Sequence, residues 1–185
     1  MSRRIYDEGP RKPPAPLDVA ALEALALSYV GRYATTRVKL AQYLTRKALT
    51  RGWNDDDGTD IGSIVTPIVE KCSLLGYVDD AAFAVARGAS LGRRGYGARR
   101  VAQALKAAGI DADDAAPAEA AAHEDALAAA VAYAKRRHIG PFSRNRQEDV
   151  NEKRRGFAAL LRAGHAPDIA RRVAYAADMA SLDDL

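Results

Sequence analysis

The stretch LGRRGYGARR, Leu91–Arg100, packs three glycines and four arginines into ten positions, and its reading decides the fold. It is either a glycine-rich loop that cradles phosphate or a basic joint between two helices. Gly92, Gly95 and Gly97 match neither GxGxxG nor a GxxxxGK loop followed by Ser or Thr. No strand precedes them, and no hydroxyl follows to hold Mg²⁺. On both sides the pattern is helical. Asp79 stands as N-cap of a helix running to about Leu91, with Val78 and Phe83 placed as a hydrophobic staple. ARRVAQALKAAGI is helical until Gly109 closes it. The stretch is therefore a joint: Gly92 and Gly95 turn the chain and Gly97 starts the next helix. A helix beginning near Gly97 would offer free N–H groups to an anion. Arg99 and Arg100 in its first turn oppose the helix dipole, which suggests that they serve an acidic partner.

Working outward, the rest of the chain reads the same way. Of 185 residues 48% are apolar and only 6% aromatic, with alanine abundant, a composition that favours helices with small contacts over a β-sandwich. Asp18 caps LDVAALEAL, and Leu17 can staple onto Leu22. Thr36 opens RVKLAQYLTRKALTRG. Ile61, Ile64, Val65, Ile68, Val69, Cys72 and Leu75 share one helical face, where Pro67 implies either a kink or a late start capped by Thr66. Residues 111–122 read as a weak helix with Pro117 against its middle. Ala126–Arg137 is strongly helical, IGPFSRN breaks the chain, and helices follow to Gly164 and from Pro167. No strand is predicted.

KLAQYLTRKA (39–48), RVAQALKAAG (100–109) and RGFAALLRAG (155–164) superimpose, aligning Leu44, Leu105 and Leu160 at separations of 61 and 55 residues. Each sits between two other helices, so the expected fold class is all-α, three tandem three-helix repeats. The boundaries are a disordered basic tail over 1–16, repeats over 17–78, 79–122 and 123–180, and a frayed end over 181–185. Chance likeness among alanine-rich helices is the alternative, and the constant order of the flanking helices argues against it.

Charge is unevenly placed although the net is only +4. Ala81–Ile110 holds six bases and no acid, Asp111–Asp125 six acids and no Lys or Arg, and Lys135–Arg155 eight bases against three acids. Such blocks address a charged partner. From charge and position, the contact candidates are Arg93, Arg94, Arg99 and Arg100, followed by Arg136, Arg137, Arg154 and Arg155. A solvated surface is the plain alternative for each. Phe142 reads as a packing anchor, since one ring makes no base-stacking platform.

Other chemistry finds no footing. Cys72 stands alone on an apolar stripe and reads as core. WNDDDGTDIGSI imitates a calcium loop around Gly58, with Asp55 and Asp57 in ligand positions. Trp53 and Ile64 occupy the positions that need carboxylates, so an acidic turn is expected. His123, His138 and His165 lack metal spacing, and no nucleophile elbow occurs. No enzyme activity, cofactor or metal is expected. The start, MSRRIYDEGPRKPPAP, lacks a signal peptide's apolar stretch, and no run nears about 18 apolar residues, so a cytoplasmic protein without a membrane segment is expected.

GYVDDAAFAVARGASLGRRGYGARRVAQALKAAGID resembles the RecX family of RecA regulators. That family's Gly-Tyr-Leu-Asp-Asp turn, following Phe, Arg/Gly joint and Gly-Ile helix end fall here on Gly76–Asp80, Phe83, residues 92–100 and Gly109–Ile110. YATTRVKLAQYLTRKA is similar to the first repeat, with Thr36 at a serine position, and KRRGFAALLRAGHAPDIARRV to the third. There are departures. Ala48 replaces the first repeat's closing glycine, so that helix should overrun toward Arg51. Gly156 stands where the pattern has an aliphatic residue, and the NDDDGTD insert is long. The resemblance implies an elongated, curved array lying in the helical groove of the RecA–single-stranded DNA filament. There it would inhibit ATP hydrolysis, strand exchange and coprotease activity. It implies RecA and the RecA–ssDNA filament as partners; a monomer is the default expectation, and the basic blocks leave room for weak direct DNA binding. The alternative is a free-standing, non-sequence-specific nucleic-acid-binding helical protein.

Overall fold

The computed structural model describes residues 16–53, 60–144 and 150–183. The basic tail, except Pro16, and the calcium-loop look-alike over 54–59 lie outside the described residues. Ten α-helices are described: α1 Val19–Val30, α2 Arg37–Arg51, α3 Ile61–Leu74, α4 Asp80–Arg93, α5 Ala98–Ala107, α6 Ala112–Glu124, α7 Ala126–Arg137, α8 Val150–Arg162, α9 Pro167–Tyr175 and α10 Ala180–Asp183. A 3-10 turn spans Gly140–Phe142. Among the described residues no strand forms, and β-pairing is limited to one Leu17–Trp53 bridge. α1–α3, α4–α6 and α7–α9 follow one another as helical triplets. The chain divides into two compact units, one of Met1–Tyr33 with Leu40–Tyr77, the other of Ala34–Lys39 with Val78–Leu185.

In the first unit Asp18 caps α1 by accepting from the Ala21 N–H at 2.8 Å, and Leu17 and Leu22 beside it are buried. α1 packs on α3, and Tyr29 stacks on Tyr43 with centroids 4.2 Å apart. Without a closing glycine at Ala48, the second helix does run on to Arg51, and Gly52 makes the left-handed turn at φ +90°. Pro67 lies inside α3, which starts at Ile61 and so has no late start. Thr66 caps nothing. Its hydroxyl donates to the Gly62 carbonyl one turn back, at 2.9 Å. Cys72 is buried, and burial pushes its thiol up.

In the second unit Asp79 caps α4 through the Ala82 N–H at 2.8 Å. α4, α5 and α6 enclose Leu91, Val101, Leu105 and Ile110. α6 is not weak at Pro117 but continuous from Ala112 to Glu124. Asp111 caps it, and Ala115 and Ala118 are buried against the α4–α5 cluster. A Cβ on Gly88 of α4 would lie 3.2 Å from the Ala118 Cβ, so small residues let the helices approach. Packing there outweighs the one hydrogen bond that Pro117 removes.

α7–α9 enclose Leu160, Val173 and Ile139, with Phe142 packed on the cluster. Gly156 is explained by that core: a Cβ would lie 2.6 Å from Ile139 Cγ2, so the aliphatic bulk comes from Ile139 instead. The end is not frayed over residues 181–183. They lie in α10, Leu182 is buried in the same core, and Arg172 donates to its carbonyl.

Candidate functional site

The joint begins where α4 ends. α4 continues past Leu91 to Arg93, and Gly95 then takes φ +73°. The Tyr96 N–H bonds the Leu91 carbonyl at 3.0 Å and the Gly95 N–H bonds that of Gly92 at 2.7 Å. This two-bond closure needs a left-handed residue where Gly95 stands.

The glycines do more than turn the chain. A Cβ on Gly97 would fall 2.4 Å from the Gly164 carbonyl carbon, and one on Gly95 would fall 2.6 Å from the Tyr133 nitrogen. A Cβ on Gly164 would fall 2.6 Å from the Arg100 nitrogen. The joint is thus a bare-backbone seam against α7 and the α8–α9 turn. The Gly97 N–H donates to the Ala163 carbonyl at 3.0 Å and the Arg99 N–H to that of Gly164 at 3.2 Å. Those bonds correct the expectation of an anion at the start of α5, because carbonyls already occupy two of its donors.

His165 locks the seam. It is 1% exposed, and its Nε2 lies 3.0 Å from the Gly95 carbonyl oxygen. A carbonyl only accepts, so Nε2 carries the proton, and Nδ1 is left buried without a partner. Burial holds this imidazole below its ordinary pKa, against the smaller opposing effect of the Gly95 bond.

All eight candidate arginines are exposed, and none forms an ion pair with a described residue. The structure gathers four of them into two hollows. One, about 380 Å³, sits on α4 and α5, with Arg94 and Arg100 in its walls. Their guanidinium carbons lie 5.4 and 6.0 Å from the Tyr96 ring centre. Arg87 and Lys39 complete that hollow, with the Lys39 ammonium 5.3 Å from the Phe83 ring centre. The other, about 460 Å³, has Arg137, Arg155 and Arg162 in its walls with Glu152. There the Arg137 guanidinium lies 5.9 Å from the Tyr133 ring centre. Arg93 lines a different, alanine-rich hollow with α6 and α7, while Arg99, Arg136 and Arg154 line none of these three hollows. Sequence reasoning passed over Lys39, Arg87 and Arg162. Lys39 was open to discovery, since the repeat register aligns it with Arg100 and Arg155.

One cation behaves oppositely. Arg37, at the start of α2, bonds Asp80 through Nε at 3.1 Å and Asp111 and Asp114 through one terminal nitrogen at 3.2 and 2.8 Å. Asp80 also accepts from the Arg37 backbone N–H at 2.9 Å, and its bond and charge hold the guanidinium still more firmly protonated. Beside it the Thr36 hydroxyl accepts from the Lys39 N–H, as expected of a cap, and donates to the Ala108 carbonyl at 2.6 Å. Arg37 and Thr36 are structural ties.

The family described as "RecX, second three-helix domain" matches residues 79–118. The Regulatory protein RecX of Myxococcus xanthus strain DK1622 is 31% identical over 170 residues, 90% of each chain. A crystal structure of a regulatory protein RecX superimposes with a TM-score of 0.62 at 19% identity, over 84% of this chain and 72% of its own. That of RecX from Lactobacillus salivarius gives a TM-score of 0.62 at 18% identity, over 90% and 97%.

Proposed function

Since the chain belongs to the RecX family, we propose that it is a non-catalytic regulator of the RecA recombinase. It binds RecA and the groove of the RecA–single-stranded DNA filament as a monomer in the cytoplasm. Binding lowers ATP hydrolysis, strand exchange and coprotease activity in recombination, DNA repair and the SOS response. The observation that carries this reading, beside the family, is the set of exposed arginines, ion-paired with no described residue, gathered into two hollows. Repeated helical modules present such surfaces in series, and contacts that are weak singly add through effective concentration on a repeating filament. No helix among the described residues is long and apolar enough to cross a membrane, which fits work on a filament.

The experiment is a titration of the protein, below stoichiometric ratio, into RecA hydrolysing ATP on single-stranded DNA. A falling rate supports the reading, and an unchanged rate at every ratio removes it. The second reading, direct non-sequence-specific nucleic-acid binding, draws on the same exposed guanidinium groups, because a phosphodiester suits them as well as a carboxylate does. It predicts tight DNA binding without RecA at low salt, weakening steeply as salt is raised.

A further inference from the structure

The two hollows are one device built twice. Gly95 at φ +73° and His138 at φ +55° are the left-handed residues that close α4 and α7. The next residue closes each turn back five positions, Tyr96 to Leu91 and Ile139 to Ala134, both at 3.0 Å. The residue just before each left-handed position is an arginine, Arg94 in one and Arg137 in the other, and each lies over a tyrosine. On the second helices the repeat register of 100–109 on 155–164 pairs Arg100 with Arg155 and Ala104 with Ala159. All six of these residues line the hollows. Two helices of different sequence, met by the same turn, bring the same pair of guanidinium groups to a hollow lined also by a register-matched alanine.

We propose that each hollow seats one carboxylate side chain of an acidic protein segment, so that consecutive modules take hold of a partner at two equivalent points. The arginine fork matches a carboxylate in geometry, and a ring beneath it restrains the fork before the partner arrives. The register-matched alanine and the tyrosine of each hollow suit a peptide's methylene groups. A phosphate track carries a charge every few ångströms and calls for a continuous basic path. Yet Arg99, Arg136 and Arg154 lie outside both hollows, so the arginines that share a hollow form two separate points. The choice of RecA as the partner that carries these carboxylates rests on the function proposed above. The hollows themselves do not.

The first test therefore omits RecA. Hexaglutamate is titrated into the isotopically labelled full chain, and the arginine Nε–H resonances are followed. The expected result is selective shifts at Arg94, Arg100, Arg137 and Arg155, with Arg93, Arg99, Arg136 and Arg154 unmoved. Shifts spread evenly over all eight, or none, overturn the proposal. Next, Arg94→Gln/Arg100→Gln, Arg137→Gln/Arg155→Gln and the fourfold variant are compared for affinity to RecA filaments, with thermal melting as the check on folding. Each pair should weaken binding about tenfold or more, and the fourfold variant by nearly the product. The fourfold lysine variant, which keeps charge but loses the fork, should recover only part. If the wild type binds filaments and the fourfold glutamine variant binds equally, the hollows are not the grip, while the proposed function stands. If the wild type binds no filament, the function fails and the hexaglutamate result alone decides for the hollows. Loss of affinity for oligothymidylate, with hexaglutamate and filament binding unchanged, would assign the hollows to phosphate and overturn the proposal.

Discussion

At the scale of single residues, glycines of one short stretch have opposite meanings. Gly92 lies within α4, and a Cβ there would meet nothing within 4 Å. Gly92→Ala should raise stability by about 0.5–1 kcal/mol through helix propensity and a less free unfolded chain. Gly97→Ala drives a methyl group into the Gly164 carbonyl and should cost about 2–3 kcal/mol. Urea melts of both variants check the pair, and equal effects would contradict the seam. His165 gives a second test, with its sign fixed by burial. The folded chain holds the ring neutral, so below about pH 6.5 the unfolded chain takes up a proton that the folded chain resists. Stability is full above that pH and falls as the solution is acidified. In His165→Gln that part of the pH slope should vanish, although the variant is weaker throughout. The sequence showed Gly97 and Gly164 only as a helix start and a helix end. Their mutual contact joins residues far apart in the chain, which no local spacing encodes.

At the scale of elements, capping chemistry was the most legible signal. Asp18, Asp79 and Thr36 each accept a backbone N–H at the helix start where their sequence places them. Local rules failed where packing overrules them, as at Pro117 within α6, while at Pro67 only the late start is removed, since the proline lies inside α3. The tie at the start of α2 was equally hidden. Arg37 looks like one more surface cation until Asp80, Asp111 and Asp114 are brought to it. Asp80 is the partner that matters, because its side chain is 2% exposed and loses its guanidinium if Arg37 is removed. Arg37→Ala should cost about 2–3 kcal/mol, below the full cost of breaking a buried pair because Arg37 is itself 43% exposed. Asp111→Asn, at an exposed partner that also caps α6, should cost about 1 kcal/mol or less. Denaturant midpoints of the two variants decide between a tie built on Asp80 and one shared evenly by the three carboxylates.

At the scale of the molecule, the helical class and the threefold succession of helix triplets followed from three alignable helices. Charge blocks pointed to a partner. The hollows did not follow from counting charges. Arg93 and Arg94 are adjacent in sequence but line different hollows, while Arg94 and Arg100 are brought together across the joint. The turn at Gly95, rather than the number of arginines, selects which of them lie together. Salt separates the two partner classes: direct DNA binding through about six phosphate contacts should fall about 10³-fold between 50 and 200 mM salt. Inhibition of RecA that outlasts a lost gel shift places the grip on protein. The central claim, that the chain restrains RecA, is met most directly by RecA's own ATP hydrolysis on single-stranded DNA, followed while this protein is added below stoichiometric ratio. The account predicts a rate that declines with each addition, and a rate unchanged at every ratio would contradict it.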